Sequence, residues 1–371
     1  SMVYEKEYYC FECGKKYSVR KIIFECESCG GSLDVRYDYG KIKRKLPKNF
    51  RSLPVSHWKY FLFFPVKKVD RELTLNEGGT PLVRDNENAN LYFKYEGLNP
   101  TGSFKDRGST VEIVKAKEFG AKKISCASTG NMGASVACYA RRAGIKARIY
   151  VPSFAPVTKL RQMRAYGAEV RIVKGSYTDA LERAEECAKK GFYLMGDYPL
   201  RGEGEKSVGF EILDEFGFKV PKWIVCPIGN GTLIYAVWKA CKEFKRVGLV
   251  KKLPKMVGVQ AKGCNPVVRA FENGWEKVRP LKGTRTVASA INCPDPMDGT
   301  EALHALRESK GVGVSVSDKE IIGAMKELAR KGILAEPAGA VSYAGYKKLE
   351  LGGKAVLIVT GHGLKDMRFF R

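Results

Sequence analysis

Beyond about residue 77 the chain repeats one alternation: a short, almost uninterrupted apolar run, then a longer stretch whose apolar positions recur every three or four residues. The runs at 91–95, 123–127, 147–151, 170–173, 223–226 and 355–359 predict strands. The stretches 133–144, 157–167 and 177–191 predict helices, and so does 104–119, where Val111, Ile113, Val114 and Ala116 supply the apolar positions. Strands separated in this way by helices form parallel sheets with helices on both faces, so the predicted fold class is α/β. Ligands in such folds bind where loops leave the carboxyl ends of strands.

The beginning of the chain reads differently. Residues 1–38 contain Cys10-x2-Cys13, twelve intervening residues and Cys26-x2-Cys29, the spacing of a four-cysteine zinc ribbon with each pair at the tip of a knuckle. Four thiolates fill the tetrahedron around such an ion and leave no open position for water, so a zinc here would be structural. A pair of redox dithiols, or a ribbon without metal, is the other reading of the same spacing. The remaining seven of the eleven cysteines are isolated in apolar segments, as at Cys126, Cys138 and Cys226, which argues against a secreted disulfide framework. A polar, basic connection at 41–51 leads on into the α/β region.

The 371 residues carry a net charge of +25, from 65 Lys and Arg against 40 Asp and Glu. An excess of this size raises nucleic acid or an anionic small molecule as partner. The basic residues are spread along the whole chain as Lys-Lys pairs, and no block matches an RNA-binding or helix-turn-helix pattern. The charge therefore reads as a lysine-rich solvated surface whose field favours capture of a small anionic substrate, with no nucleic acid expected. No apolar run reaches the roughly 18 residues of a membrane span, and no basic-then-apolar leader opens the chain, so a soluble cytoplasmic protein is expected. The only histidines are His57, His304 and His362, which argues against a histidine-based hydrolytic triad or a His-ligated catalytic metal.

Four loops carry candidate chemistry. Lys105 lies in Asn99-Pro100-Thr101-Gly102-Ser103-Phe104-Lys105-Asp106-Arg107-Gly108, on the first turn of a predicted helix, where free N–H groups disfavour a protonated amine and favour anions. Such a lysine is a candidate for covalent chemistry with a carbonyl group; the plainer reading is a solvated helix-start lysine beside an Asp106/Arg107 ion pair. Ser128, Thr129, Gly130 and Asn131 follow a strand and precede a helix, so their N–H groups could face an anion or simply cap the helix. Gly229, Asn230, Gly231 and Thr232 stand in the same relation to the next strand and helix, either as a phosphate cradle or as a plain turn. Thr360 ends the last apolar run and precedes Gly361-His362-Gly363.

Six pieces occur in one order: Gly78-Gly79-Thr80-Pro81-Leu82, the Lys105 segment, Ser128-Thr129-Gly130-Asn131, Gly229-Asn230-Gly231-Thr232, Glu336-Pro337-Ala338-Gly339-Ala340 and Thr360-Gly361-His362-Gly363-Leu364-Lys365-Asp366. In this order they resemble the fold-type II pyridoxal phosphate enzymes and, within them, the threonine synthases. The resemblance covers most of the chain. It implies two parallel-sheet α/β domains with pyridoxal 5'-phosphate between them: a large one made of 39–115 and 211–371, and a smaller, mobile one at 116–210, following the ribbon at 1–38. It further implies that Lys105 forms a Schiff base with the cofactor, that Ser128, Thr129 and Gly130 hold the substrate carboxylate, and that Asn131 meets the cofactor's ring oxygen. Gly229, Asn230, Gly231 and Thr232 would hold its phosphate, and the Thr360 hydroxyl would meet its ring nitrogen. Arg201, Lys206 and Ser207 would receive the leaving phosphate.

The activity implied is conversion of O-phosphohomoserine and water to threonine and phosphate, by a chain that pairs with a second copy of itself as relatives do. Two departures bear on the substrate. Where the family usually carries Asn-Ser-x-Asn-Pro-x-Arg, this chain reads Met195-Gly196-Asp197-Tyr198-Pro199-Leu200-Arg201, and Thr232-Leu233 replaces a usual Gly-Asn. Asp197 would be unfavourable beside a dianion unless it points away or pairs with a cation. The alternatives are β-replacement on O-phosphoserine by sulfide or sulfite, as in a cysteine or cysteate synthase, and a serine/threonine dehydratase; Glu203-Gly204-x-Lys206-Ser207 favours phosphorylated substrates. A zinc-ribbon nucleic-acid-binding protein with a relict catalytic fold is the reading from another class.

Overall fold

A computed structural model describes residues 4–371. The ribbon comprises β1 (Glu5–Cys10), β2 (Lys16–Tyr17) and β3 (Leu33–Tyr37), antiparallel in the order β2-β1-β3. Helix α1 (Tyr39–Lys45) follows, started by the Asp38 side chain accepting the Lys41 N–H and ended by three basic residues, both matched to its dipole. Then come β4 (Leu82–Arg84), β5 (Leu91–Tyr95) and α2 (Lys105–Glu118).

The middle of the chain alternates as the apolar pattern predicts, with β6 (Lys123–Ala127), α3 (Asn131–Arg142), β7 (Lys146–Pro152), α4 (Val157–Ala165), β8 (Glu169–Val173) and α5 (Tyr177–Lys189), and adds a short strand that the pattern does not mark, β9 (Tyr193–Met195). These strands form a parallel sheet in the order β8-β7-β6-β9. The edge strand β8 is guarded by charge, with Glu169 bonded to Arg148 and Arg171.

The last part holds α6 (Pro199–Glu215), β10 (Trp223–Pro227), α7 (Thr232–Arg246), β11 (Lys255–Ala261), α8 (Pro266–Glu272), α9 (Gly299–Glu308), β12 (Val312–Val316), α10 (Asp318–Arg330), α11 (Pro337–Lys348) and β13 (Ala355–Val359). Its sheet has the order β12-β11-β10-β13-β5-β4, parallel except for β4. Every residue of β10 and β13 is buried, as expected of strands covered on both faces. Helix α6 packs along both α2 and α7, and thereby joins the two sheets.

That helical layer buries His57, whose Nδ1 lies 2.7 Å from Ser207 Oγ and whose ring stacks on Phe64. Burial pushes its pKa down to about 4 against an ordinary 6.5, against the pull of Glu77. The unfolded chain therefore binds a proton that the folded chain refuses. Stability is expected to fall as pH drops from about 6.5 to about 4. Urea midpoints measured across that window for the parent and for His57→Gln check this; the variant is expected to show a flatter profile, and an equal slope would assign the loss to other groups.

Candidate active site

The carboxyl ends of β6, β10 and β13 open into one pocket between the two sheets. Its walls include Lys105, Ser128, Thr129, Asn131, all of Gly229 to Thr232, and Thr360. The structure thus gathers four loops that sequence places far apart. Arg201, Lys206 and Ser207 do not line it.

Lys105 opens α2, and its position is fixed from the far end of the chain. Phe104 N–H donates to the Thr360 carbonyl at 3.1 Å and His362 N–H to that of Gly102 at 2.9 Å, so the helix start is stitched to the end of β13. The Lys105 side chain is 18% exposed, with Nζ 3.6 Å from Asp197 Oδ1. Its neighbours Asp106 and Arg107 do not pair with each other. Asp106 accepts from Thr101 N–H at 2.7 Å and Ser135 Oγ at 2.6 Å, while Arg107 pairs with Glu96 and Glu211. The plainer reading's ion pair gives way to these partners because the turn after Lys105 is buried.

Asp197 answers the concern its charge raised. It is buried, faces Lys105 with Oδ1, and accepts from Asn230 Nδ2 at 2.7 Å with Oδ2. Burial alone would raise its pKa; the Lys105 and Arg201 charges outweigh burial and hold it below the usual carboxylate range. Asn230 therefore directs its side-chain amide at Asp197.

Two glycines are dictated by their surroundings. Gly130 has φ +143°, and a Cβ there would strike the Lys159 side chain. Gly231 has φ +91°, and its Cβ would come within 2.5 Å of the Asp298 carbonyl. Ser128 Oγ closes its loop by accepting from Gly130 and Gly133 N–H groups at 2.9 and 2.7 Å. Asn131 Nδ2 donates to Glu336, which pairs with Lys159 at 2.6 Å, while Asn131 Oδ1 is buried with no partner among the described residues. An orphaned polar atom in a pocket wall suits a polar ring bound there.

The three residues expected at a leaving phosphate are placed elsewhere. Arg201 is fully buried: Nε is 2.6 Å from Glu112, Nη1 donates to the Lys105 carbonyl at 2.9 Å and Nη2 to Ser109 Oγ at 2.8 Å. Burial raises Glu112 to about 7 in spite of that arginine. Lys206 reaches Glu203, Glu243 and the Phe63 carbonyl, and Ser207 reaches His57 and Arg107. All three are turned into the helical layer because α6 runs between α2 and α7 rather than along the pocket mouth. Residues that sequence reasoning missed include Tyr177 and Cys293 in the wall, and Asp298 behind it. Glu205, in the same α6 as Arg201, is also buried, with no hydrogen-bond partner for either oxygen among the described residues, and burial pushes it up to about 8.

In the ribbon, Cys10, Cys13, Cys26 and Cys29 bring four Sγ atoms within 4.8 Å of one another. The contacts Cys10···Cys29 at 3.4 Å and Cys13···Cys26 at 3.6 Å are too long for disulfides. They are close to the roughly 3.8 Å that separates thiolates about 2.3 Å from a tetrahedral ion.

Residues 73–361 match the family described as pyridoxal-phosphate dependent enzyme. A threonine synthase of Methanocaldococcus jannaschii is 44% identical over 96% of this chain and 92% of its own length. The chain belongs to the threonine synthase family. A threonine synthase of Methanosarcina acetivorans is equally similar, at 44% over 96% of this chain and 91% of its own. Among solved structures, threonine deaminase isoform 2 from Solanum lycopersicum superposes with a TM-score of 0.66 at 22% identity, over 94% of this chain and 96% of that one. Maize serine racemase does so with 0.65 at 24%, over 76% and 88%; both are likenesses of fold alone. The expected fold class is therefore correct, and the chain is a pyridoxal-phosphate dependent lyase of the threonine synthase family. Its Arg201 and Pro199, the two residues shared with the family's usual stretch, are respectively a brace behind Lys105 and the first residue of α6.

Proposed function

We propose that this chain converts O-phosphohomoserine and water to threonine and phosphate, with its cofactor held in the pocket at Lys105. The reading is carried by 44% identity to threonine synthases over nearly the whole chain, joined to a pocket whose single lysine among the described residues lies at the loops the resemblance marks. Pyridoxal phosphate, when bound, supplies the electron sink for charge developing at the carbon next to the substrate amine.

The protein's own contributions follow from the walls. Ser128, Thr129 and Gly130 would form the loop at the substrate carboxylate, where Thr129 N–H is left to meet it because Ser128 N–H is bonded to the Tyr150 carbonyl and Gly130 N–H to Ser128 Oγ. Asn131 would meet the ring oxygen, and Gly229 to Thr232, at the start of α7, would hold the phosphate. A neutral Thr360 hydroxyl at the ring nitrogen would leave it without a proton, a weaker sink that suits elimination and replacement over transamination. Proton transfers fall to the Lys105 amine, because no histidine among the described residues lines the pocket, and the Asp197 carboxylate 3.6 Å away would stabilise that amine whenever it carries a proton. Water would add to the β carbon after the phosphate leaves.

Arg201 acts in this scheme through Lys105, whose carbonyl it holds. Arg201→Ala is expected to lower kcat by about tenfold or more while leaving KM for the phosphorylated substrate and the cofactor's absorbance nearly unchanged. A raised KM with kcat intact would return Arg201 to the leaving phosphate.

The deciding experiment is a substrate panel: phosphate release from O-phosphohomoserine and O-phosphoserine, each with and without sulfide or sulfite, and deamination of serine and threonine. Release from O-phosphohomoserine with threonine as product is expected; release from O-phosphoserine dependent on sulfide or sulfite would sink the proposal. Cys10, Cys13, Cys26 and Cys29 would hold one structural zinc with no open position. The substrate is a small anionic amino acid, no nucleic acid is required, and we place the enzyme in the cytoplasm as a homodimer, with the region of the β8-β7-β6-β9 sheet as the mobile part of the expected lobe at 116–210, whose two bounds fall inside α2 and α6.

A further inference from the structure

The ribbon takes no part in the chemistry above, yet it is bonded to the loop that would hold the cofactor's phosphate. Ser32 follows Cys29 by three residues, and its backbone is tied to the first knuckle, where Phe11 N–H donates to the Ser32 carbonyl at 3.0 Å. Its neighbour Gly31 is fixed to the second, through Cys26 N–H to the Gly31 carbonyl at 2.9 Å. From that mount, Ser32 Oγ lies 2.7 Å from Asp298 Oδ1 and 2.9 Å from the Met297 carbonyl.

Asp298 carries the connection onward. Its Oδ2 accepts from Thr232 Oγ1 at 2.6 Å, and its N–H donates to the Asn230 carbonyl at 2.8 Å. Its carbonyl closes over Gly231, leaving no room for a side chain. Met297 N–H reaches Asn230 Oδ1 at 3.3 Å. Each residue from 230 to 232 is thus held by residues 297 and 298, and those are held by Ser32.

A second attachment stops the helix behind the loop from shifting. Asp34 in β3 accepts from Tyr235 on the first turn of α7 and from Lys239 Nζ at 2.5 Å one turn later. Lys239 is shared with Glu203 at 3.0 Å, so ribbon, α7 and α6 meet at one buried cluster.

We propose that the ribbon braces the phosphate loop through Ser32 and Asp298, and so sets how tightly the cofactor's phosphate is held. Ser32 and Asp298 are positioning residues; neither belongs to the wall that receives the ring. This rests on the reading that Gly229 to Thr232 take the phosphate. A loop held in one conformation binds an anion without first being ordered, and each hydrogen bond in the chain of contacts contributes to that order.

The test compares pyridoxal phosphate with pyridoxal, which lacks the phosphate, by following the absorbance of the bound cofactor in the full-length protein. Ser32→Ala is expected to weaken pyridoxal phosphate by about three- to tenfold and to leave pyridoxal unchanged, with Ser32→Thr restoring most of the affinity. No change in either, or equal weakening of both, would overturn the brace, the latter by exposing a general loss of structure. Thr232→Asp, which sets a carboxylate at the loop itself, separates the two levels. It must cost pyridoxal phosphate far more than pyridoxal; if it does not, the phosphate lies elsewhere and both the reading and the brace fall.

Discussion

Lys105→Ala is expected to lower turnover of O-phosphohomoserine by more than about a thousandfold, since it removes both the covalent anchor and the proton carrier. The size of the effect follows from the pocket's inventory. Among the described residues Lys105 is the one amine in its wall, no histidine stands in reserve, and the carboxylate facing it, Asp197, is held below the usual carboxylate range, against its burial, by Lys105 and Arg201. Lys105→Arg separates charge from chemistry, because a guanidinium keeps a partner for Asp197 but cannot condense with an aldehyde. The check is the mass of the protein after borohydride reduction in the presence of pyridoxal phosphate. The parent should gain one cofactor on the peptide carrying Lys105, and neither variant should gain it there. A variant that retains the adduct and normal turnover would move the chemistry to another residue.

Arg107→Met should destabilise the fold by about 3–5 kcal/mol, because it leaves the buried Glu96 carboxylate without its cation and Glu211 with Lys94 alone. Arg107 is fully buried; Nε lies 2.5 Å from Glu96, Nη1 2.5 Å from Glu211, and Nη2 donates to Thr80 Oγ1 at 3.1 Å. Lys94 adds a second cation to Glu211 at 2.8 Å. Burial opposes ionisation of Glu211, yet Arg107 and Lys94 overcome it and hold that carboxyl far below the usual range. In the parent this stabilisation is full above the ordinary 4.5 of a glutamate and is lost as pH falls toward the depressed folded value. In the variant the sign is expected to reverse for the stranded Glu96, so that acidification to about pH 5 recovers part of the stability. Urea unfolding as a function of pH measures both the size and the slope. Arg107→Met combined with Glu96→Gln should recover much of the loss, and failure to do so would place the cost in packing rather than charge.

Strands that are buried on both faces were legible, the runs at 91–95 and 355–359 emerging as β5 and β13 with the same bounds, whereas β4, β9, β11 and β12 were not marked. The pocket loops at 128–131 and 229–232 were legible because each combines a strand end, small residues and a helix start. The ribbon was legible from spacing alone. What sequence could not deliver is the partner of each buried charge. Helix α6 bears Arg201, Glu203, Glu205, Lys206 and Glu211, which looks like a solvated, substrate-facing helix, yet every one of them is buried between α2 and α7. Their destinations depend on which helices meet, a property of tertiary packing that no window of residues contains. Asp298 escaped notice for the same reason: it has no motif of its own and gains its role from Ser32 and Thr232, 266 and 66 positions away.

Among the described strands β13 is the last to leave the ribosome, yet it lies between β10 and β5, and its end anchors the turn bearing Lys105. During synthesis the two halves of that sheet therefore stay unjoined until residue 359 has emerged. A nascent polypeptide stalled before residue 355 would lack the central strand and the stitch beyond it, so vitamin loading must wait until translation has passed this point.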